Sequence, residues 1–289
     1  MSLVIFLDYV KLLRIKHYIK NVLIFLPLLC SGRMGEFPLE WAGLLIAFLS
    51  FSFTSSAIYL INDIRDRESD AQHPKKCHRP IARGGVGVLP ASFLSFLLCM
   101  AALVMAVYLS VSTSWMVLVV LVIYLILNIG YSVYLKQVPV IEVAILASGF
   151  LLRVLYGGFV SGIEVSSWLY LTVLSFSFYM GLGKRRNEFD RNPAHDTRKV
   201  LKHYSRRFLD RNMYMFLALS ICFYSLWAME QGRWALWSVP IVMVCSMRYS
   251  LIVEGSSDGD PVEVLLGDKF LVLLGVIYGL YMVVFRYFV

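Results

Sequence analysis

Apolar residues fall along this chain in long runs separated by short charged connections. The runs cover roughly residues 19–41, 41–62, 89–111, 114–135, 139–162, 166–183, 211–229, 234–253 and 268–288. Most are long enough to cross a hydrocarbon layer of about 30 Å as an α-helix. The first is the weakest, because its apolar part from Ile19 to Ser31 is short, and it is expected to tilt or lie partly in the interface. The pattern predicts an all-α fold, a polytopic membrane bundle of about nine transmembrane helices forming a single domain over residues 1–289.

Composition agrees with the pattern. The chain is 59% hydrophobic and only 16% charged, with mean hydropathy +0.70, which excludes an ordinary soluble domain. The formal charge of +8 then reads as basic loops facing anionic lipid and phosphate ligands, with no nucleic-acid partner. Of the 27 lysines and arginines, 23 fall on one side of the bundle when the N-terminus is placed in the cytoplasm, and 3 on the other (Arg33, Arg233 and Arg286). Arg153 lies inside a run. This bias predicts a cytoplasmic N-terminus and an outside C-terminus. Lys11, Arg14, Lys16 and Lys20 precede the first run without a small-residue cleavage site after it, so that run reads as a membrane helix and not a signal peptide. The five scattered cysteines, Cys30, Cys77, Cys99, Cys222 and Cys245, have neither metal-ligand spacing nor an even count for a disulfide framework.

All dense polar chemistry lies in three connections of the predicted cytoplasmic side, 62–88, 184–211 and 254–268. Such one-sidedness suits an enzyme working at that face better than a two-sided pore. The first connection opens Asn62-Asp63-Ile64-Arg65-Asp66-Arg67-Glu68-Ser69-Asp70. Offsets of three and four residues place Asp63, Asp66 and Asp70 on one helical face. Three carboxylates so close repel one another, and a divalent cation removes the repulsion. Magnesium held by carboxylates commonly carries substrate phosphates. Asn62 can add a neutral oxygen ligand, and the basic string His73-Pro74-Lys75-Lys76-Cys77-His78-Arg79-Pro80 follows at once. Acids for a metal beside bases for phosphate are what a magnesium-diphosphate substrate requires. The bland alternative is a charged cap.

The second connection opens Lys184-Arg185-Arg186-Asn187-Glu188-Phe189-Asp190, at the end of a helix whose Gly181 and Gly183 allow close backbone approach. Lys184 and Arg185 are candidates for phosphate contacts. Glu188 and Asp190 could supply a second metal contact or a substrate-hydroxyl contact. Arg198 to Arg211 reads as a solvated positive-inside stretch. Arg153 is a charge within a membrane helix, a functional candidate on cost alone. Glu142 lies about three turns earlier on a similar face, too far for direct contact. Lys20-Asn21, Tyr131 and Lys136 stand at run ends on the same side, where interface residues are common. Asp258, Asp260 and Asp268 are ambiguous, with Gly259-Asp260-Pro261 reading first as a turn.

Nine apolar segments with Asn-Asp-x-x-Asp-x-x-x-Asp after the second resemble the UbiA superfamily of intramembrane prenyltransferases across almost the whole chain. Finer features are similar to one branch, the decaprenyl-phosphate phosphoribosyltransferases: Arg14 with Lys20-Asn21, His78-Arg79-Pro80-Ile81-Ala82, Tyr131-Ser132-x-x-Leu135-Lys136, Gly149-Phe150-x-x-Arg153, and Lys184-Arg185 with Glu188. Ile15-Lys16-His17 departs from that branch, where a proline is expected after the arginine. Aromatic prenyltransferases of the superfamily carry a second aspartate-rich motif where this chain has the mainly basic Lys184–Asp190 stretch.

The resemblance implies transfer of 5-phosphoribosyl from phosphoribosyl pyrophosphate to a polyprenyl phosphate, at the cytoplasmic face of a bacterial inner membrane, and leaves a homo-oligomer open. Mg2+ on Asp63, Asp66, Asp70 and Asn62 would hold the diphosphate. Lys20, Lys136 and Arg153 would hold lipid phosphate, with Tyr131 beside them. Lys184, Arg185, Glu188 and Arg79 would hold the donor. The competing readings are an aromatic prenyltransferase using a prenyl diphosphate and a transporter of phosphorylated metabolites.

Overall fold

The computed structural model describes residues 3–32, 38–72, 76–191, 199–255 and 259–287. Every regular element among them is helical. Helix α1 is Leu3–Leu12; a 3₁₀ stretch, Ile15–Phe25, leads into α2, Leu26–Ser31. Then come α3 (Pro38–Arg65), α4 (Arg67–Ala71), α5 (Val88–Ser112), α6 (Met116–Val133), α7 (Ile141–Ser161) and α8 (Ser167–Arg191). The remainder is α9 (Arg206–Gln231), α10 (Arg233–Leu236), α11 (Val239–Glu254), α12 (Pro261–Gly267) and α13 (Lys269–Tyr287). Among the described residues, seven helical spans are long and apolar enough to cross a membrane. They are Trp41–Arg65, Val88–Ser112, Met116–Val133, Ile141–Ser161, Arg206–Gln231, Arg233–Glu254 and Lys269–Tyr287. Helix α8 matches them in length, with 25 residues, but its last two turns are charged.

The run expected at 19–41 is not one α-helix. Its first part is 3₁₀ and its α-helical part, α2, has six residues; residues 33–37 lie outside those described. The cause is tertiary. Asn21 donates through Nδ2 to Ser52 Oγ at 2.8 Å, the hydroxyls of Tyr18 and Ser56 meet at 2.9 Å, and Ser56 Oγ donates to the Leu13 carbonyl at 2.7 Å. These bonds mould the segment onto α3 and override its helical propensity.

The chain divides into two compact units. The first comprises Met1–Leu26, Phe37–Val133 and Leu155–Ile163, the second Pro27–Glu36, Tyr134–Val154 and Glu164–Val289. In the first unit α3 packs against α5, α6 and the 3₁₀ stretch. Helix α3 buries hydroxyls on several sides, Ser50, Ser52, Thr54, Ser55 and Ser56. Small polar residues let membrane helices approach closely and bond across the interface. Ser50 Oγ donates to the Ala102 carbonyl at 2.9 Å and lies 3.2 Å from the Tyr156 hydroxyl; Ser55 lies 3.2 Å from the Tyr124 hydroxyl. Phe51 fills the space between Tyr124 and Tyr156, with ring centroids 4.4 and 5.4 Å away.

In the second unit α8 runs along α9, with α11 against α8, α9 and α13. Tyr179, Leu182, Leu209, Met213, Tyr249 and Val253 form its core. The expected close approaches at Gly181 and Gly183 are present: a Cβ there would stand 3.0 Å from Val143 Cγ1 and 3.0 Å from Val253 Cγ1.

Gly157 in the first unit is tighter still, since a Cβ would meet the Ile24 carbonyl oxygen at 1.8 Å. Gly157→Ala is therefore expected to destabilise the purified protein by about 1–3 kcal/mol through overpacking. Gly275→Ala in α13, where a Cβ would meet nothing within 4 Å, is expected to be neutral or to add about 0.5–1 kcal/mol through helix propensity. Thermal unfolding of both variants in detergent checks the contrast.

Candidate active site

Two polar clusters occur, one in each unit. The first is built on the end of α3. The backbone breaks at Asp66 (φ −90°, ψ 6°), yet the i to i+4 spacing survives. The Asp66 N–H donates to the Asn62 carbonyl at 2.9 Å, and the Asp70 N–H to the Asp66 carbonyl at 2.7 Å. Asp63 and Asp70, two turns apart, are consequently buried together, with 4% and 3% exposure. Ionised carboxylates at that depth need partners. Arg79 Nη1 lies 3.0 Å from Asp63 Oδ1 and 2.6 Å from Asp70 Oδ2, bridging the two. Arg14 Nη2 reaches Asp63 Oδ1 at 2.5 Å, its guanidinium 4.7 Å from the Tyr59 ring centroid, and Lys76 Nζ stands 3.7 Å from Asp70 Oδ1. Asp66 is half-buried and caps the start of α4 without a side-chain capping bond.

Asp63 and Asp70 thus converge on one cationic nitrogen. Among the described residues no three acidic, histidine or cysteine side chains form a ready metal cage. The donor set nevertheless fits magnesium in kind, because two hard carboxylate oxygens already point at a single positive position that a guanidinium fills. The loop bearing Arg79 is pinned by an ion pair between Arg83 and the buried Asp8 of α1, and Ile81 and Val86 pack with Leu12 and Leu60. Lys20 lies half-buried on the 3₁₀ stretch, and Tyr131 half-buried near the end of α6. His73, Pro74 and Lys75 lie outside the described residues.

The second cluster occupies the end of α8. Arg185 is 1% exposed and Glu142 is 0% exposed. Arg185 Nε lies 2.7 Å from Glu142 Oε1 and 2.8 Å from Oε2, while its Nη1 bonds Glu188. Arg185 therefore reaches outward through Glu188. Lys184 Nζ stands 3.3 Å from Asp260 Oδ2, and Asp260 Oδ1 accepts the Val262 N–H at 3.0 Å, capping α12. Asp268 likewise caps α13 through the Leu271 N–H at 2.8 Å and pairs with Arg248 at 2.5 Å. The Arg248 guanidinium, foremost, holds the Asp268 carboxyl below its ordinary range. These two of the three ambiguous aspartates are helix caps and ion-pair partners; Asp258 is outside the described residues. Arg186 and Asp210 pair at 2.7 Å, and Asp190 joins them at 3.5 Å from Arg186. Asp210 and Arg206 of the stretch expected to be merely solvated thus belong to an ion-pair network joining α8 to α9.

Arg153 is buried in α7, donating to the Gly149 carbonyl at 2.5 Å and lying 5.8 Å from the Phe150 ring centroid. Glu142 pairs with Arg185 across 43 positions in sequence. Lys136 is on a 3₁₀ turn, Leu135–Gln137. Beside it Val140 has φ 67°, a left-handed conformation that costs a β-branched residue about 1–3 kcal/mol. Its N–H donates to the Tyr204 hydroxyl at 2.7 Å. Burial first, and the Glu142 carboxylate after it, hold the Tyr204 phenol above its ordinary range, so it stays protonated and can donate to Glu142 Oε1 at 3.5 Å. Sequence reasoning missed Glu142 as partner of Arg185, and missed Tyr204 and Asp8 altogether. An acid at the polar end of an apolar run was the one usable signal.

Comparisons with known proteins bear on the family and the fold. Residues 24–285 match the model of the UbiA prenyltransferase family. A curated relative from Corynebacterium glutamicum, named decaprenyl-phosphate phosphoribosyltransferase, is 35% identical, over 92% of this chain and 82% of its own length. A Mycobacterium tuberculosis protein of the same name is 33% identical, over 92% and 89%. A solved UbiA homolog from Archaeoglobus fulgidus, bound to DMAPP and Mg2+, superposes with TM-score 0.74 at 17% identity, covering 96% of this chain and 99% of that one. At that identity the likeness concerns the fold. The helical architecture and the family match over most of the chain lead to one conclusion: this chain belongs to the UbiA prenyltransferase family.

Proposed function

We propose that the chain is an integral-membrane transferase that moves 5-phosphoribosyl from phosphoribosyl pyrophosphate to a polyprenyl phosphate and releases diphosphate. What carries the reading is likeness along 92% of the chain to relatives named decaprenyl-phosphate phosphoribosyltransferase. The chemistry of α8 supports it. A second acidic cluster would suit a prenyl diphosphate, whereas the end of α8 presents Lys184 and a buried arginine that holds Glu188. The competing aromatic prenyltransferase lacks that second acidic cluster here. A transporter would have no need for polar chemistry gathered in the connections of one side.

Asp63, Asp66 and Asp70 are the proposed magnesium ligands, with Asn62 beside them. Magnesium, when bound, neutralises charge on the leaving diphosphate. Arg79 is placed to exchange the two carboxylates for diphosphate oxygens. Lys184 and Glu188 would orient the ribose phosphate part, with Arg185 fixing Glu188. Lys20, Lys136 and Arg153 would hold the lipid phosphate, and Tyr131 stands near the end of α6 to help them. A phosphate monoester is already anionic at neutral pH, so its oxygen can attack the anomeric carbon without a strong general base. We further propose nine crossings with a cytoplasmic N-terminus, α8 and the 3₁₀–α2 segment adding to the seven apolar spans, and active-site residues on the cytoplasmic face of a bacterial inner membrane. The charge bias of the connections supports that orientation.

Purified protein given labelled phosphoribosyl pyrophosphate, magnesium and polyprenyl phosphate is expected to yield a lipid-linked phosphoribose. Prenylation of an aromatic acceptor, or flux into vesicles without chemistry, would overturn the reading. Asp66→Asn is expected to lower kcat/KM about a hundredfold or more at unchanged thermal stability. Full activity that still requires magnesium would remove Asp66 from the metal site. Arg153→Ala is expected to weaken polyprenyl-phosphate binding about tenfold, the loss of one charge-assisted contact; unchanged affinity would make Arg153 structural.

A further inference from the structure

The turn that joins α6 to α7 holds the most improbable backbone of the second unit. Ile141 N–H bonds the Pro139 carbonyl at 2.7 Å across Val140, whose φ is 67°. A three-residue turn with positive φ at its centre is the rare, strained form, and a β-branched residue makes it worse. The Val140 side chain is 52% exposed, so packing does not impose the conformation. From outside the turn and its helix, the Tyr204 hydroxyl holds it, accepting the Val140 N–H at 2.7 Å from a buried position.

Tyr204 does a second thing with the same oxygen. It donates to Glu142 Oε1 at 3.5 Å. Glu142 lies two residues after the strained position and receives Arg185 Nε on both carboxylate oxygens. Arg185 in turn holds Glu188, whose side chain is 28% exposed while the three before it in the chain of contacts are buried. A single line of polar contacts therefore runs from a strained turn to a carboxylate that faces outward. Lys136 stands on the 3₁₀ turn just before Val140, and that turn packs on the 3₁₀ helix Lys199–His203, next to Tyr204.

We infer that Tyr204 is a positioning residue for Glu188: by holding Val140 in its left-handed turn it fixes Glu142, which fixes Arg185, which aims Glu188 at the donor substrate. The inference rests on the phosphoribosyltransfer reading only for the identity of that substrate. Strain of this kind persists where the surroundings over-determine it, and here the phenol on the Val140 N–H acts together with the Ala144 N–H on the Val140 carbonyl at 2.9 Å.

The logic yields a rescue. Removing the phenol oxygen frees Val140 to relax toward the β region and carry Glu142 with it. Glycine adopts a positive φ without steric cost, so it keeps the turn in place without the phenol.

The test uses the full chain in detergent or nanodiscs as wild type, Tyr204→Phe, and Tyr204→Phe with Val140→Gly. Three quantities are read: kcat and KM for phosphoribosyl pyrophosphate, calorimetric Kd for ribose 5-phosphate, and thermal midpoint. Tyr204→Phe is expected to raise KM and Kd about tenfold with kcat within about threefold, and the double variant to return both constants to within about threefold of wild type. A lowered midpoint in Tyr204→Phe with KM and Kd unchanged would make the tyrosine purely structural and overturn the inference. So would a double variant no better than the single one, or a wild type that binds no ribose 5-phosphate. A wild type that transfers no phosphoribosyl group but ranks the ribose 5-phosphate affinities as expected would sink the proposed transfer and leave the positioning role standing.

Discussion

Asp63 and Asp70 can be buried together because cations meet them, above all the Arg79 guanidinium that lies between the two, with Arg14 on Asp63 and Lys76 near Asp70. Two carboxylates with almost no exposure would otherwise repel each other in a medium that screens poorly. Arg79 removes that conflict, and the loop that delivers it is constrained in turn by Arg83 on Asp8 and by Ile81 and Val86 against Leu12 and Leu60. The second unit repeats the solution: one buried arginine, Arg185, lies between Glu142 and Glu188. In both places one partner comes from far along the chain, Arg14 on Asp63 and Glu142 on Arg185. Breaking one member of such a pair leaves the other buried and uncompensated, which costs far more than a surface ion pair is worth.

What could be read beforehand follows from how local each determinant is. The long helices announce themselves because an apolar run is a local pattern, and α5, α6 and α13 end within a few residues of the expected bounds. The shared face of the three aspartates was also legible, since a spacing of three and four needs only helical geometry. The 3₁₀ course of Ile15–Phe25 was not, because hydroxyls on α3 about thirty to forty positions away decide it. Nor was the bridging role of Arg79, although the residue itself was a candidate. Composition could mark Lys184 and Arg185 as unusual. It could not say that Arg185 would be sealed against Glu142, 43 positions earlier, or that Asp260, 76 positions later, would meet Lys184.

Among the described residues two non-glycine positions adopt a left-handed backbone, Arg14 and Val140, and each adjoins one polar cluster. Local sequence preference is violated just where charge must be placed. The family fold and this chain's particular chemistry therefore rest on different kinds of constraint. Apolar runs build the helices, and two costly backbone positions adjoin the charged clusters.

The buried hydroxyls of α3 bear on how the protein is made. As the chain emerges from the ribosome, α3 enters the bilayer before its partners exist: Ala102, Tyr124 and Tyr156 follow the serines they bond by 52, 69 and 106 residues. Until then Ser50 and Ser55 lack those bonds, whereas Thr54 has one inside its own helix, to the Ser50 carbonyl at 2.9 Å. Insertion of α3 is thus a provisional event, completed when the later helices arrive. A chain stalled between residues 80 and 100 would hold Ser50 and Ser55 without those partners, so the polar contacts of α3 close in the order in which the later helices are made.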